Sequence, residues 1–145
     1  MSGRVQGVAA AGLLVLGLVG GSALTAAPAK KAAAPVFTAE EAEAGAQVYA
    51  GACAMCHGAA LQGTYEVPPL TGRFVANWAN APVGALHAYL RKAMPQFAPG
   101  SLSEQDATNL AAYLIRANGL KLRAGPAGAG DARLRAVITA GQVPR

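Results

Sequence analysis

The apolar positions of this chain recur with a helical period, and no stretch shows the two-residue alternation of a half-buried strand. Ala42, Gly45, Val48 and Tyr49 form one stripe. Thr38 and Glu41 ahead of it make a capping box, and Glu40, Glu41 and Glu43 fall in the first turn, where the helix dipole favours acids. Gly45 inside this helix costs about 1 kcal/mol relative to Ala, so its position predicts a close approach by another helix. A second helix is predicted from Pro82, a good first helical residue, with Leu86, Tyr89, Leu90 and Ala93 as its buried face. It should stop at Met94, because Pro95 disfavours helical backbone in the residue before it. Ser103 with Asp106 caps a third helix, stapled by Leu102. Its stripe is Ala107, Leu110, Ala111, Leu114 and Ile115, closed by Gly119. Between the first two helices, Gly58 to Tyr65 reads as a loop and Pro68 to Gly72 as a stiff extended segment. Arg73 to Asn80 is ambiguous, with a short helical stretch around Trp78, and Asp131 to Thr139 reads as a short helix carrying Leu134, Val137 and Ile138 on one side. The pattern predicts an all-α fold.

The ends differ from this middle. Arg4 followed by the uncharged run Val8 to Val19 and small residues near Ala23 to Ala29 reads as a secretory signal peptide over residues 1–27. Residues 28–36 read as a flexible leader, 37–120 as the folded domain and 121–145 as a basic C-terminal extension. An uncleaved leader would instead leave the domain membrane-attached. Export to the periplasm is the expectation. The chain has 145 residues and a net charge of +5, but six acids face four bases between Pro35 and Leu120. The excess of positive charge therefore belongs to the ends, with five bases against Asp131 from Lys121 onward. Without basic and aromatic residues interleaved in the core, no nucleic-acid partner is expected. Two readings of the extension stand: a chain end lying on the domain, or a docking arm for an acidic redox partner.

The candidate chemistry is concentrated in Cys53-Ala54-Met55-Cys56-His57. In a turn of helix, positions i, i+3 and i+4 share one face, so both thiols and the imidazole point the same way. C-x-x-C-H is the spacing of covalent c-type haem attachment, in which two thiols meet the two vinyl groups of one porphyrin and the imidazole meets its iron. A redox dithiol would give His57 no role. A zinc site needs four ligands from a chain with two Cys and two His. A disulfide across so short a loop would stabilise little. For the opposite face of the iron the candidates are Met55, Met94 and His87. Met55 lies within the attachment turn and cannot reach that face. His87 is expected at the surface, and Met94 stands on a loop before a proline. Imidazole and thioether together saturate the iron and raise its potential, which suits electron transfer.

From about Thr38 to Gly119 the chain resembles the class I, monohaem bacterial cytochromes c, in particular those associated with quinoprotein alcohol and sugar dehydrogenases. The resemblance is carried by Cys53 to Gly58, Pro68 to Gly72, Met94-Pro95, Pro99 to Ser103 and Ala111 to Leu114. It implies the cytochrome c fold, three to five helices around one covalent haem c, with thioethers from Cys53 and Cys56, His57 as proximal and Met94 as distal iron ligand. It also implies a hydrogen bond from His57 to the Pro68 carbonyl, packing of Leu70 on the porphyrin, and a helix crossing at Gly45 and Tyr113. The expected role is that of a one-electron carrier, not an enzyme, between a dehydrogenase donor and an oxidase or cytochrome acceptor. Two alternatives are a haem subunit of a dehydrogenase complex and a haem protein with a displaceable Met that reacts with peroxide or binds gases.

Overall fold

The computed structural model describes residues 37–140; the expectations for the signal peptide, the leader and Arg145 fall outside them. Helix α1 (Ala39–Ala52) opens on the predicted capping box: the Thr38 hydroxyl accepts from the Glu41 N–H, and the Glu41 carboxylate accepts from the Thr38 N–H at 2.9 Å. Two short helices follow, α2 (Ala54–His57) and α3 (Arg73–Trp78). Helix α4 (Val83–Ala93) ends as Pro95 requires, with Met94 already extended at φ −126°, ψ 148°. Helix α5 (Glu104–Ala117) is capped by the Ser103 hydroxyl, which accepts from the Asp106 N–H at 3.0 Å, and Gly119 beyond it takes the left-handed conformation at φ 63°.

Helices α1 and α5 cross at Gly45, and the crossing explains that residue. A Cβ there would lie 1.9 Å from the Asn109 carbonyl oxygen and 2.9 Å from the Tyr113 Cβ. The backbones meet where only glycine fits. The rings of Tyr49 and Tyr113 extend the contact, with centroids 5.2 Å apart. Leu86 and Leu90 of α4 join Leu110 and Leu114 of α5 in the core. The helix-rich body agrees with the all-α cytochrome c expectation, with three long helices and three of six residues or fewer among the described residues.

The region after Leu120 departs from the helical pattern. Strand β1 (Lys121–Arg123) pairs antiparallel with β2 (Val137–Thr139), and the helix expected from Asp131 to Thr139 is confined to α6 (Ala132–Arg135). Leu134 is half-buried, whereas Val137 and Ile138 are buried from the strand, not from a shared helical face. The cause is long-range pairing. The Ile138 N–H donates to the Ala81 carbonyl at 2.9 Å, and the Asn80 N–H donates to the Ile138 carbonyl at 2.8 Å. Ile138 is fully buried. Two of the extension's basic residues are engaged within the body: Arg133 with Glu41 and Asp131, and Arg135 with the carbonyls of Pro126, Ala129 and Gly130.

Candidate functional site

The attachment turn is built by an interruption of helix. Cys53 leaves α1 at φ −126°, ψ −38°, and α2 restarts at Ala54, so that the Cys53 carbonyl accepts from Cys56 N–H at 3.1 Å and from His57 N–H at 2.9 Å. This places Cys53, Cys56 and His57 on the wall of one cavity of about 840 Å³. Cys53 is buried and its thiol is pushed up to about 11 by desolvation, with the neighbouring Cys56 adding to it. Cys56 is exposed at the mouth. The Tyr49 hydroxyl donates to the Gly58 carbonyl at 2.5 Å, pinning the end of the turn to α1, and burial raises the phenol to about 12.

His57 is oriented by the loop that follows it. Its Nδ1 lies 3.0 Å from the Pro68 carbonyl, so that nitrogen carries the proton and Nε2 keeps its lone pair for a ligand. The loop is returned to this position by Gly63 N–H donating to the His57 carbonyl at 2.7 Å and Leu70 N–H donating to the Leu61 carbonyl at 2.9 Å. Gly63 itself has φ 72°, and a Cβ on it would stand 2.5 Å from the Val67 carbonyl oxygen and 2.6 Å from the Pro69 nitrogen. Pro68 and Leu70 both line the cavity, and the Asn118 amide donates to the Leu70 carbonyl at 3.0 Å.

Met94 lines the same cavity from the end of α4, together with Leu86 and Leu90 of that helix and Leu110 and Leu114 of α5. Trp78 and Tyr89 form one rim, their ring centroids 5.6 Å apart. Tyr89 is 45 % exposed, so it belongs to the cavity edge and not to the buried face of α4 expected from its spacing. Met55 is 78 % exposed at the mouth. Among the described residues Arg73 is the one Lys or Arg side chain on the cavity wall, and Glu66 is the one acid there.

The surface expectation for His87 is corrected: the residue is buried, and it is absent from the cavity wall. Its Nε2 meets the Glu104 carbonyl at 3.2 Å and the Glu104 carboxylate at 3.3 Å, and Arg91 pairs with the same carboxylate. The reason is the packing of α4 on the start of α5, which covers the side of α4 that its own spacing leaves polar.

The cavity fits a haem. Its volume lies in the usual range of about 300–1,000 Å³ for cofactor sites. Among the described residues no group of three or more His, Cys, Asp or Glu could hold a bare metal ion. The donors present are two thiols, one imidazole with a single free nitrogen, and two thioethers, Met55 being largely exposed and Met94 half-buried, a set that completes an iron already held by a macrocycle.

The family described as cytochrome c oxidase, cbb3-type, subunit III matches residues 40–114. Thiosulfate dehydrogenase of Stutzerimonas stutzeri (strain A1501) is 39 % identical over 77 residues, covering 48 % of this chain and 25 % of that protein. This chain thus spans about a quarter of the length of that relative. The crystal structure of the sulfane dehydrogenase SoxCD from Paracoccus pantotrophus superposes with a TM-score of 0.45 at 22 % identity, over 54 % of this chain and 43 % of that one.

Proposed function

The chain belongs to the cytochrome c family described as cytochrome c oxidase, cbb3-type, subunit III, and on that premise we propose that it is an exported electron carrier working between redox proteins. A monohaem cytochrome c is an electron-transfer protein with one covalent c-type haem. In the proposed arrangement Cys53 and Cys56 would hold the porphyrin by thioether bonds, and His57 Nε2 and the Met94 thioether would hold its iron. When bound, the haem supplies the one-electron Fe(III)/Fe(II) couple.

The protein's part is positioning and exclusion of water. Pro68 fixes the ring of His57 and increases its basicity through the Nδ1 hydrogen bond. Leu70, Leu86, Leu90, Leu110 and Leu114 make the cavity wall apolar, which would keep water from a bound haem. Arg73 supplies positive charge on the cavity wall, suited to the carboxylates of a porphyrin. The observation that carries the reading is the convergence of Cys53, Cys56, His57 and Met94 on one apolar cavity.

Carriage, not catalysis, is the reading that two axial ligands favour, because a saturated iron leaves no position for a substrate. A periplasmic location is proposed from the leader sequence alone. For the donor, a dehydrogenase is proposed. The 39 % identity to a thiosulfate dehydrogenase favours a second form of the same reading, in which this chain is the haem module of a sulfur-compound dehydrogenase. The test is Met94→Ala in the matured protein. The full chain should exchange one electron reversibly and ignore carbon monoxide; M94A should bind carbon monoxide and fall in potential, since the thioether is what raises it. Unchanged potential and ligand binding in M94A would remove Met94 from the iron. Repeated thiosulfate oxidation by the isolated chain, with an added electron acceptor reoxidising it, would establish it as an enzyme.

A further inference from the structure

We infer that the segment Arg133 to Ile138 is a clamp between the start of α1 and the start of α4, holding Met94 in place by joining the two helices that lead to Cys53 and to Met94. The inference rests on the His57/Met94 reading above. On one side, Arg133 pairs with the Glu41 carboxylate in the first turn of α1, the helix that leads directly into Cys53. Arg133 is itself held in place: its Nη2 donates to Asp131 at 2.7 Å and its guanidinium lies 5.5 Å over the Phe37 ring. Hydrogen bonding to Asp131, and then to Glu41, keeps it firmly charged.

On the other side, the segment grips the start of α4, the helix that ends in Met94. The Val83 N–H, an orphan donor of the first helical turn, donates to the Ala136 carbonyl at 2.8 Å. Ile138 and Val83 are both fully buried, and Gly84 approaches the Leu134 carbonyl so closely that a Cβ would stand 3.0 Å from it. Helix α4 has 11 residues, a stiff rod of about 16 Å, so a shift at its first turn is carried to its far end. Met94 is the next residue.

The consequence is that the clamp resists departure of Met94 from the iron, and its loosening raises the fraction of molecules open to a competing ligand. The experiment measures imidazole affinity for the matured ferric protein, with the thioether-to-ferric charge-transfer band recorded alongside. Arg133→Ala removes the pair from the tail side. Glu41→Gln removes it from the α1 side while keeping an oxygen to accept from the Thr38 N–H, so the capping box survives. Thr38→Ala weakens α1 but leaves the pair intact. Both clamp variants should bind imidazole about fivefold more tightly than the full chain, the size expected of one partly buried ion pair, and T38A should match the full chain. A full chain with the band but unchanged imidazole affinity in R133A and E41Q would overturn the clamp and leave the ligand reading standing. An equal rise in T38A would overturn it too, by reducing the effect to helix stability. Absence of the band from the full chain would remove Met94 from the iron and the clamp with it.

Discussion

At the scale of single residues, the site depends on atoms that nothing larger could replace. Gly63 is the clearest case, because a left-handed φ and two backbone atoms within 2.6 Å leave no room for a side chain. Gly63→Ala should cost about 1–2 kcal/mol for the backbone alone. It should also push the Val67–Pro69 backbone away from His57. With the Nδ1 hydrogen bond weakened, the imidazole donates less to the iron and the ferric state loses support, so the potential should rise. Redox titration beside denaturant unfolding checks both effects. The attachment motif was readable in the sequence, because C-x-x-C-H is a local pattern whose geometry one helical turn fixes. His87 was not, because its partner Glu104 lies 17 residues away and becomes a neighbour only when α4 docks on α5.

At the scale of elements, capping chemistry placed the long helices well. Thr38 with Glu41 and Ser103 with Asp106 act over three residues, and Pro95 ends α4 through its own ring, so these boundaries need no tertiary context. The crossing of α1 and α5 is a stronger constraint than helix propensity. Gly45→Ala would gain about 1 kcal/mol of propensity. Against that stands overpacking of about 1–3 kcal/mol, at its upper end here because the obstacle is the Asn109 backbone and not a movable side chain. The expected net loss is about 1–2 kcal/mol, read as a lower denaturant midpoint. A stabilised G45A would mean that the helices can separate freely at this point. The strand pairing after Leu120 escaped the sequence because three-residue strands carry too little alternation to register, and β2 takes its second partner from residues 80–82.

At the scale of the whole molecule, the chain's basic end is turned partly inward. Arg133 and Arg135 are bound to acids and carbonyls of the same body, so the charge available to a partner from this segment is smaller than the sequence suggests. Asp131 is held below the usual carboxylate range, first by the hydrogen bond from the Arg133 side chain. A group with a depressed folded pKa contributes stability above its unfolded value, about 3.9, and loses that contribution as pH falls through the lower folded value. Asp131→Asn keeps a good N-cap for α6 but removes the charge. D131N should therefore be less stable than the natural chain at pH 7, with the gap smaller in acid, below the unfolded value of about 3.9. Urea unfolding at both pH values tests the sign, and a gap that widens in acid would contradict it.

The account stands on a closed iron between His57 and Met94, and its most direct measurement is the absorption spectrum of the matured chain, oxidised and reduced, with and without carbon monoxide. The prediction is a c-type reduced spectrum, a thioether-to-ferric charge-transfer band when oxidised, and no change with carbon monoxide. Rapid carbon monoxide binding without that band would contradict it and put a haem protein with an open distal site in place of the carrier.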